Sequence, residues 1–386
     1  MKPVIVIAGG GTGGHVFPGL AVASALGKLA DVEVVFVGSP RGLEKDIVPA
    51  RGYRLELLDV EPMKGGGLRR AVRGALLAAR ATWRARSLVR ELRPAAVLSV
   101  GGYAAGPIAL TAALSGVPLA VLEPNGVLGL ANRLLAPLAK RAYVAWPEAA
   151  ARVSPKIVRA VGVPLREGFE AKGYRATKSA RVLVMGGSLG ARALNETVPE
   201  ALIRLAPHIE GLEILHQAGR GNDEAVRARY AAAGVKADVR PFLDDVAGEL
   251  ARADLVVGRS GAGSVAEVAA VGRAAIFVPF PHAADDHQRS NAEALARAGG
   301  ALCILQRDAT ADRLADAIGA LLTDGPRREK MADASRAAGR PRAAFDVATD
   351  LLVLAKIPAH PPRGKSNGHA RPVDPRGASR GADREH

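Results

Sequence analysis

The chain opens with the stretch "VIVIAGGGTGGHVFPGLAVA" at residues 4–23, an apolar run that leads into five glycines among residues 9–14. A buried strand, a glycine turn and a helix in this order begin a nucleotide-binding α/β unit. Gly9, Gly11 and Gly14 also satisfy the dinucleotide spacing G-x-G-x-x-G. That interpretation needs an acid at the end of the next strand, where this chain has Gly38 and Ser39. We therefore expect a different phosphate-bearing ligand, with a purely structural turn as the alternative.

The strand, turn and helix pattern occurs again at "RVLVMGGSLGA" (181–191). Short continuous apolar runs separated by helical patterns predict parallel sheets covered on both faces. The runs lie at 4–8, 32–37, 95–100, 118–122 and 142–146, and then at 181–185, 212–217, 253–258, 274–280 and 301–305. The sequence predicts an α/β protein of two Rossmann-like domains, 1–163 and 164–341, that face a cleft. An amphipathic helix at 342–356 would pack back on the first domain, and 357–386 would be a disordered basic tail.

The composition limits the classes of function. The 386 residues carry a formal net charge of +15, which predicts an acidic partner such as a phosphate compound or an anionic membrane. The only cysteine, Cys303, excludes an internal disulfide, and the first apolar run is too short for a secretory signal. No charged residue occurs from Pro94 to Leu122, but glycines and prolines interrupt this stretch. We therefore predict strand, loop, helix and strand there, and a soluble protein without a membrane span.

His15 is the first candidate for chemistry, because it lies in the first turn of the first helix. A helix N-terminus disfavours imidazolium, so the ring stays neutral and can act as a general base on a hydroxyl. The alternative is a histidine that only positions an oxygen or caps the loop. A second glycine loop, "VGGYAAGP" (100–107), follows the third predicted strand. Together the two loops would form anion cradles that suit a pyrophosphate, although Gly106-Pro107 can also be a simple helix-starting turn.

In the second unit, "GRSGAGSVAEVAAVG" (258–272) passes from a strand into a helix. Ser264 and Glu267 have the spacing of a capping box; alternatively, Ser264 meets phosphate and Glu267 accepts hydrogen bonds from a ribose. The next strand ends in "PFPHAADDHQRSNA" (279–292), whose acids and histidines could suggest a metal. The chain has no D-x-D pair, the usual metal–nucleotide motif in many glycosyltransferases, so we predict no metal. The residues in question are His282, Asp285, Asp286 and His287.

Residues 64–93 form a basic segment with nine lysines or arginines and one acid, Glu91. Apolar residues occur in it at near-helical spacing. Such a helix can lie in the interface of an anionic membrane or pack as an ordinary surface helix. RNA binding is less favoured, because no recognition motif accompanies the charge. We name Leu76, Leu77 and Trp83 as the membrane candidates.

Seven motifs in order resemble the MurG family of glycosyltransferases over residues 3–355. They are "GGGTGGHVFPGLAVA", "VGGYAAGP", "EPNGVLGLANR", "GVPLR", "GGSLGARALN", "RSGAGSVAE" and "FVPFPHAADDHQRSNA". The resemblance implies a GT-B fold and an inverting, metal-independent transfer without cofactor. GlcNAc would pass from UDP-GlcNAc to the C4 hydroxyl of MurNAc in lipid I (undecaprenyl-pyrophosphoryl-MurNAc-pentapeptide), giving lipid II for peptidoglycan. It also implies a peripheral enzyme on the cytoplasmic face of the bacterial inner membrane.

The resemblance further implies roles for individual residues. His15 would be the base, with Glu123 nearby. The donor UDP-GlcNAc would contact Thr12, Gly13, Gly14, Asn125, Arg166, Ser188, Leu243, Ala262, Gly263, Ser264, Val265, Ala266, Glu267 and Gln288. We assign the acceptor pyrophosphate to the two first-domain loops, at Gly11, Gly101, Gly102 and Tyr103. Expected partners are the two substrates and anionic inner-leaflet lipids, and no nucleic acid.

The chain departs from the family pattern at two places. It has "LEPN" where the family often has "HEQN", and "GGSLGA" where "GGSQGA" is commoner. The first change removes a histidine and a glutamine beside Asn125, and the second removes a polar neighbour of Ser188. The alternative functions are another GT-B glycosyltransferase or a UDP-GlcNAc 2-epimerase.

Overall fold

The computed structural model describes residues 2–60, 68–177, 180–187 and 190–360, without the side chains of residues 68–79 and 152. It contains two parallel sheets, one of seven strands and one of six. Most of the predicted tail, from 361 onward, lies outside the described residues.

The first sheet has the strand order β3-β2-β1-β4-β5-β6-β7. Its strands are β1 (Val4–Gly9), β2 (Glu33–Gly38), β3 (Arg54–Leu57), β4 (Ala96–Gly101), β5 (Leu119–Glu123), β6 (Arg141–Val144) and β7 (Val158–Ala160). Its helices are α1 (Gly13–Leu29), α2 (Glu44–Ala50), α3 (Leu68–Leu92), α4 (Ala105–Leu114) and α5 (Leu130–Leu135). Short 3-10 turns follow at Ala136–Leu138 and Pro147–Arg152.

The second sheet has the order β10-β9-β8-β11-β12-β13. Its strands are β8 (Ala180–Met185), β9 (Leu212–Gln217), β10 (Asp238–Arg240), β11 (Leu255–Gly258), β12 (Ala275–Phe277) and β13 (Ala301–Cys303). Its helices are α6 (Arg192–Leu205), α7 (Asp223–Ala232), α8 (Val246–Arg252), α9 (Ala262–Val271), α10 (His287–Arg297), α11 (Ala311–Thr323) and α12 (Gly325–Ala338). Short 3-10 turns lie at Ala284–Asp286 and Gln306–Asp308, and the last helix is α13 (Ala343–Leu354).

Both sheets are buried on both faces, as the continuous apolar runs predict. In β1, Ile5 and Ile7 belong to the core on one face, whereas Val6 and Ala8 belong to the core on the other. Val182 and Leu183 divide in the same way between the two cores of the second sheet. Successive side chains of a strand point to opposite faces, so only a fully apolar strand satisfies both cores.

The order of the strands positions the glycine loops. In each sheet the strands that directly follow the first strand lie on one side of it, and the later strands lie on its other side. As a result β1 lies between β2 and β4, and β8 lies between β9 and β11. Ligands of such sheets bind at this reversal, beyond the carboxyl ends of the strands. The loops after β1 and β4 meet there in the first sheet, and those after β8 and β11 meet there in the second.

The uncharged stretch from Pro94 to Leu122 folds as predicted, into β4, a glycine loop, α4 and β5. Among the described residues, no helix is long and apolar enough to cross a membrane. The last helix, α13, packs on α1 of the first sheet. Asp350 fixes it there, because its Oδ2 accepts hydrogen bonds from Tyr143 Oη and Arg141 Nε, both at 2.9 Å.

Candidate active site

The first glycine loop is closed by a carboxylate that the sequence analysis did not single out. Gly11 N–H donates to Glu44 Oε2 at 2.8 Å, and Ser39 N–H donates to Glu44 Oε1 at 2.8 Å. Glu44 is only 1% exposed, and a Cβ atom on Gly10 would collide with its carboxylate. Glu44 therefore joins the loop after β1 to the loop after β2. The amide of Gly11, which we expected to face the acceptor pyrophosphate, is engaged by this side chain.

The amides at the start of α1 directly follow the same loop. Thr12 is the N-cap residue, and its side chain makes no capping hydrogen bond. The first N–H groups of a helix have no acceptor within the helix, so those of Gly13 and Gly14 are available to an anion. The predicted contact of Thr12, Gly13 and Gly14 with the donor is therefore compatible with the structure and stays a prediction.

His15 lies between the two glycine loops of the first sheet. Its Nδ1 is 3.3 Å from Thr12 Oγ1, and a Cβ atom on Gly101 would come within 3.1 Å of its Nε2. Gly101 has a φ of +88°, which a glycine adopts without strain. Burial lowers the pKa of His15 below its usual value; Glu123 acts in the opposite direction and His287 adds to the lowering. The ring is therefore neutral near pH 7, as a general base requires.

The second glycine loop packs directly on the first. A Cβ atom on Gly102 would collide with the carbonyl oxygen of Gly10, so only glycine fits there. The ring of Tyr103 lies beside Gly11, at 3.6 Å from where a Cβ atom of Gly11 would be. Gly11, Gly101, Gly102 and Tyr103, predicted as one group from separate motifs, are neighbours in space.

Glu123 is buried and holds the turn that follows β5. Its Oε1 accepts from Asn125 N–H at 3.2 Å and Asn125 Nδ2 at 3.0 Å. Its Oε2 accepts from Gly129 N–H at 2.9 Å and Asn132 Nδ2 at 3.2 Å. With four donors on its two oxygens, the carboxylate is arranged to fix Asn125 and the start of α5, beside His15.

Asn291 connects the two sheets and was missed as a site residue, although it lies inside a quoted motif. Its Oδ1 accepts from Gly126 N–H at 2.8 Å, and its Nδ2 donates to Asn125 Oδ1 at 3.2 Å and Ser260 O at 3.1 Å. The side chain is fully buried. Asn125, from the first sheet, is thereby held against the loop after β11.

The predicted donor residues of the second sheet lie around this contact. The helix α9 begins at Ala262 with Gly261 as its N-cap and no side-chain capping bond, so Ser264 and Glu267 do not form a capping box. Gln288 Oε1 accepts from Phe280 N–H at 3.0 Å, and Gln288 O accepts from Ser260 Oγ at 2.8 Å. Gln288 is thus fixed at the start of α10, beside Asn291. Gly263, Val265 and Ala266 belong to the first turns of α9.

Glu267, in α9, lies close enough to Arg166 for their charges to interact. Burial raises the pKa of Glu267 to about 7, and the charge of Arg166 acts in the opposite direction. The guanidinium of Arg166 lies 5.4 Å from the ring centre of Phe169. Leu243 is buried, and its neighbour Phe242 is 47% exposed. Ser188 lies outside the described residues.

The acids and histidines near α10 do not gather around one point. Within the described parts of the chain, no group of three or more His, Cys, Asp or Glu side chains is placed to hold a metal ion. His287 Nδ1 lies 2.6 Å from Ala284 O, so this nitrogen is engaged by the backbone of the preceding turn. Asp285 and Asp286 have φ values of +51° and +50° and shape the turn that precedes α10.

A second surface of the first sheet is apolar and exposed. In α3, Ala81, Ala85 and Leu88 are buried against the core, whereas Trp83 is 75% exposed. The side chains of Leu76 and Leu77 are outside the described part of α3. The neighbouring helices α4 and α5 expose further leucines, at Leu110, Leu114, Leu130 and Leu134.

Comparison with known proteins agrees with this geometry. The model of the glycosyltransferase family 28 N-terminal domain matches residues 5–144, and that of its C-terminal domain matches residues 181–347. The chain is 51% identical to a UDP-N-acetylglucosamine–N-acetylmuramyl-(pentapeptide) pyrophosphoryl-undecaprenol N-acetylglucosamine transferase of Sorangium cellulosum, over 92% of this chain and 89% of the relative. A transferase of the same name from Anaeromyxobacter sp. is 43% identical over 96% of this chain and 98% of its own.

Solved structures give the same result. The crystal structure of Acinetobacter baumannii MurG matches with a TM-score of 0.77 and 34% identity, over 91% of this chain and 99% of that one. A Neisseria meningitidis UDP-GlcNAc 2-epimerase bound to UDP-GlcNAc has a TM-score of 0.64 at 13% identity, over 92% of this chain and 100% of that one, which shows a shared fold alone. The predicted GT-B architecture of two Rossmann-like domains is confirmed. The chain belongs to glycosyltransferase family 28 and, within it, to the MurG family of N-acetylglucosamine transferases.

Proposed function

We propose that this chain transfers GlcNAc from UDP-GlcNAc to the C4 hydroxyl of MurNAc in lipid I, giving lipid II and UDP. The names of the related transferases state the sugar donor and the lipid-linked acceptor. The observation that carries the proposal for this chain is the position of His15, a neutral imidazole held between two glycine loops and facing the second sheet across the cleft. An acceptor on the first sheet and a donor on the second would meet at this ring.

The transfer proceeds by inversion in a single displacement. A ring nitrogen of His15 takes the proton of the C4 hydroxyl while the hydroxyl oxygen attacks C1 of GlcNAc, and the bond from C1 to the UDP oxygen breaks. Glu123 lies near enough to favour the resulting imidazolium, since its charge raises the pKa of His15. We assign Glu123 to orienting Asn125 and supporting this charge, because its oxygens already accept four hydrogen bonds.

The donor binds mainly to the second sheet. Ser264 and the amides at the start of α9 would hold phosphate oxygens, and Glu267 would accept hydrogen bonds from the ribose. The backbone of Leu243 would meet uracil, while Asn125 and Gln288 would contact the sugar. The positive N-terminal end of the α9 dipole stabilises the negative charge that develops on the departing pyrophosphate. The reaction therefore needs no metal or other cofactor.

The exposed apolar surface suits attachment to the cytoplasmic face of the inner membrane. Trp83 and the exposed leucines of α4 and α5 would enter the interface, and exposed basic residues of α3 would meet anionic lipid headgroups. This surface lies on the same domain as the acceptor loops, so the reactive sugar of a lipid-linked acceptor can reach the cleft while its tail stays in the membrane.

The test is transfer of labelled GlcNAc from UDP-GlcNAc to a lipid I analogue, with and without EDTA. We expect lipid II formation under both conditions, and no conversion of UDP-GlcNAc alone into its 2-epimer. His15→Gln should lower kcat by about 100-fold or more. The matched control is His208→Gln, which removes an exposed histidine on the second domain. Absence of transfer by the wild type would refute the proposal, and loss of activity in EDTA would refute its metal-free part.

A further inference from the structure

Arg133, in α5, is a cation without a partner among the residues that the structure describes. Its Nε atom is buried, and its guanidinium makes no hydrogen bond or ion pair with any residue that the structure describes. A buried polar atom without a partner costs free energy, and more so when it belongs to a charged group. Such an atom in a native fold calls for an explanation. The two terminal nitrogens of the same guanidinium are not buried, so an anionic ligand can reach them and balance the charge of the group.

The neighbours of Arg133 show where that ligand would be. The preceding residue, Asn132, is fixed against the second glycine loop: its Oδ1 accepts from Ser99 Oγ at 2.9 Å, and its Nδ2 lies 3.4 Å from where a Cβ atom of Gly101 would be. Gly129, at the start of α5, donates to Glu123. The helix α5 is therefore held beside the loops that surround His15. Arg133 is the residue that directly follows Asn132, which makes this contact.

The opposite side of Arg133 borders the exposed apolar surface. Leu130 and Leu134, one turn apart on α5, are 60% and 69% exposed. Successive residues of a helix are about 100° apart around its axis, so the Arg133 side chain lies between the side that carries Asn132 and the side that carries these leucines. One short helix thus presents an apolar strip, a cation and a contact to the glycine loop in sequence.

We propose that Arg133 binds the pyrophosphate of the polyprenyl-linked acceptor. This inference rests on the proposed function and assigns a residue of this chain to it. The apolar strip would take the first isoprene units, the guanidinium would take the two phosphates, and the sugar would continue past Gly102 to His15. The planar guanidinium donates two parallel hydrogen bonds to phosphate oxygens, which a lysine cannot do in the same geometry.

A diphosphate fits these observations better than an anionic membrane headgroup. A cation that only attracts a membrane surface works best fully exposed, as Lys140 is at the end of the turn that follows α5. Arg133 is instead only half-exposed and lies beside the acceptor loops, so an anion that meets its terminal nitrogens must enter the protein surface. In addition, Glu44 engages the amide of Gly11, so the acceptor loops need another source of positive charge.

The test measures binding of farnesyl pyrophosphate, farnesyl monophosphate and farnesol to the full-length protein and to three variants. We expect Arg133→Met to weaken farnesyl pyrophosphate binding by about 10- to 100-fold, the monophosphate by less, and farnesol not at all. Arg133→Lys should bind farnesyl pyrophosphate more tightly than Arg133→Met and more weakly than the wild type. Lys140→Met, the matched control, should bind all three like the wild type. Wild-type affinity of Arg133→Met for farnesyl pyrophosphate, equal loss for all three probes, or no binding by the wild type would overturn the proposal.

Two further measurements separate a ligand role from a structural one. Arg133→Met should unfold at a temperature no lower than the wild type, since it removes an unsatisfied buried atom. It should also bind phosphatidylglycerol vesicles as the wild type does. A lower unfolding temperature together with unchanged farnesyl pyrophosphate affinity would identify a structural role, and a parallel loss of vesicle binding would identify a headgroup contact. Either result overturns the proposal.

The transfer assay keeps this inference distinct from the proposed function. With a lipid I analogue, Arg133→Met should raise the KM for the acceptor and leave the KM for UDP-GlcNAc unchanged. If the wild type transfers no sugar, the proposed function fails, and the farnesyl pyrophosphate measurements still decide the role of Arg133.

Discussion

Donor binding should depend on pH through Glu267. Burial raises the pKa of this carboxyl to about 7, so the ligand-free protein carries it half protonated near neutral pH. A ribose hydroxyl donates its hydrogen to a carboxylate, and the ionised form is therefore the one that binds. The affinity for the donor is therefore highest well above pH 7 and decreases as the pH falls through 7. Each protein molecule whose Glu267 is protonated before binding releases one proton when the donor binds.

The size of the effect follows from the pKa. If only the ionised form binds, the apparent dissociation constant is multiplied by one plus the ratio of protonated to ionised carboxyl. With a pKa of about 7, that factor is about 1.1 at pH 8 and about 11 at pH 6. UDP-GlcNAc should therefore bind about tenfold more weakly at pH 6, which corresponds to about 1.4 kcal/mol.

Isothermal titration of UDP-GlcNAc at pH 6, 7 and 8 measures this directly, and two buffers of different ionisation enthalpy give the proton release. UDP-GlcNAc is preferable to UDP, whose terminal phosphate has a pKa near 6 and would add its own pH dependence. Binding is preferable to turnover, because His15 affects the rate.

Glu267→Gln is the control for this mechanism. The variant should bind UDP-GlcNAc more weakly than the wild type at pH 8 and with no pH dependence between 6 and 8. Equal wild-type affinities at pH 6 and pH 8 would refute the ribose role of Glu267, and a tenfold pH effect that survives in Glu267→Gln would assign it to another group.

Three further predictions concern residues that shape the cleft. Glu44→Gln should lower the free energy of unfolding in urea by about 1–3 kcal/mol and lower kcat, because a side-chain NH2 group must then face the N–H of Gly11 or Ser39. Asp46→Asn, an exposed position on the same helix, should change neither quantity. Asp350→Asn should lower the free energy of unfolding by about 1 kcal/mol through weaker contacts of α13 with Arg141 and Tyr143, and Asp346→Asn should have no such effect. Asn291→Ala should increase the radius of gyration in X-ray scattering, because it removes hydrogen bonds that join the domains, whereas unchanged scattering would show that other contacts hold the cleft.

The sequence predicts the strands that are buried on both faces and one edge strand, β13, and it misses the other three edge strands. Central strands such as β1 and β4 are continuous apolar runs, because neighbouring elements cover both of their faces. The short strands β3, β7 and β10 contain "RLEL", "VRA" and "DVR" and were not predicted. An edge strand has one neighbour and partial cover, so its residues need not be apolar and give no pattern.

The same distinction holds within the site. The glycine loops, His15 and the donor motifs are local in sequence, and their grouping follows from the reversal of strand order. Asn291 and Glu44 act on partners 165 and 33 residues away, at Gly126 and Gly11. A single asparagine within a helix or a single glutamate at the start of one carries no periodic signal, and its role depends on which loop the fold brings to it.

Glu44 also gives a physical reason why we expect no dinucleotide at the first glycine loop, although the loop has the dinucleotide spacing. In a dinucleotide site, an acid at the end of the second strand holds a ribose while the glycine loop holds the pyrophosphate. Here the acid, Glu44, comes six residues after Gly38, at the start of α2. Its side chain accepts a hydrogen bond from the Gly11 amide of the first glycine loop. Its negative charge opposes a phosphate at that amide. We therefore expect an anion in the first domain to lie farther along, between the start of α1, the Gly102 loop and Arg133, where a lipid pyrophosphate rather than a nucleotide would place it.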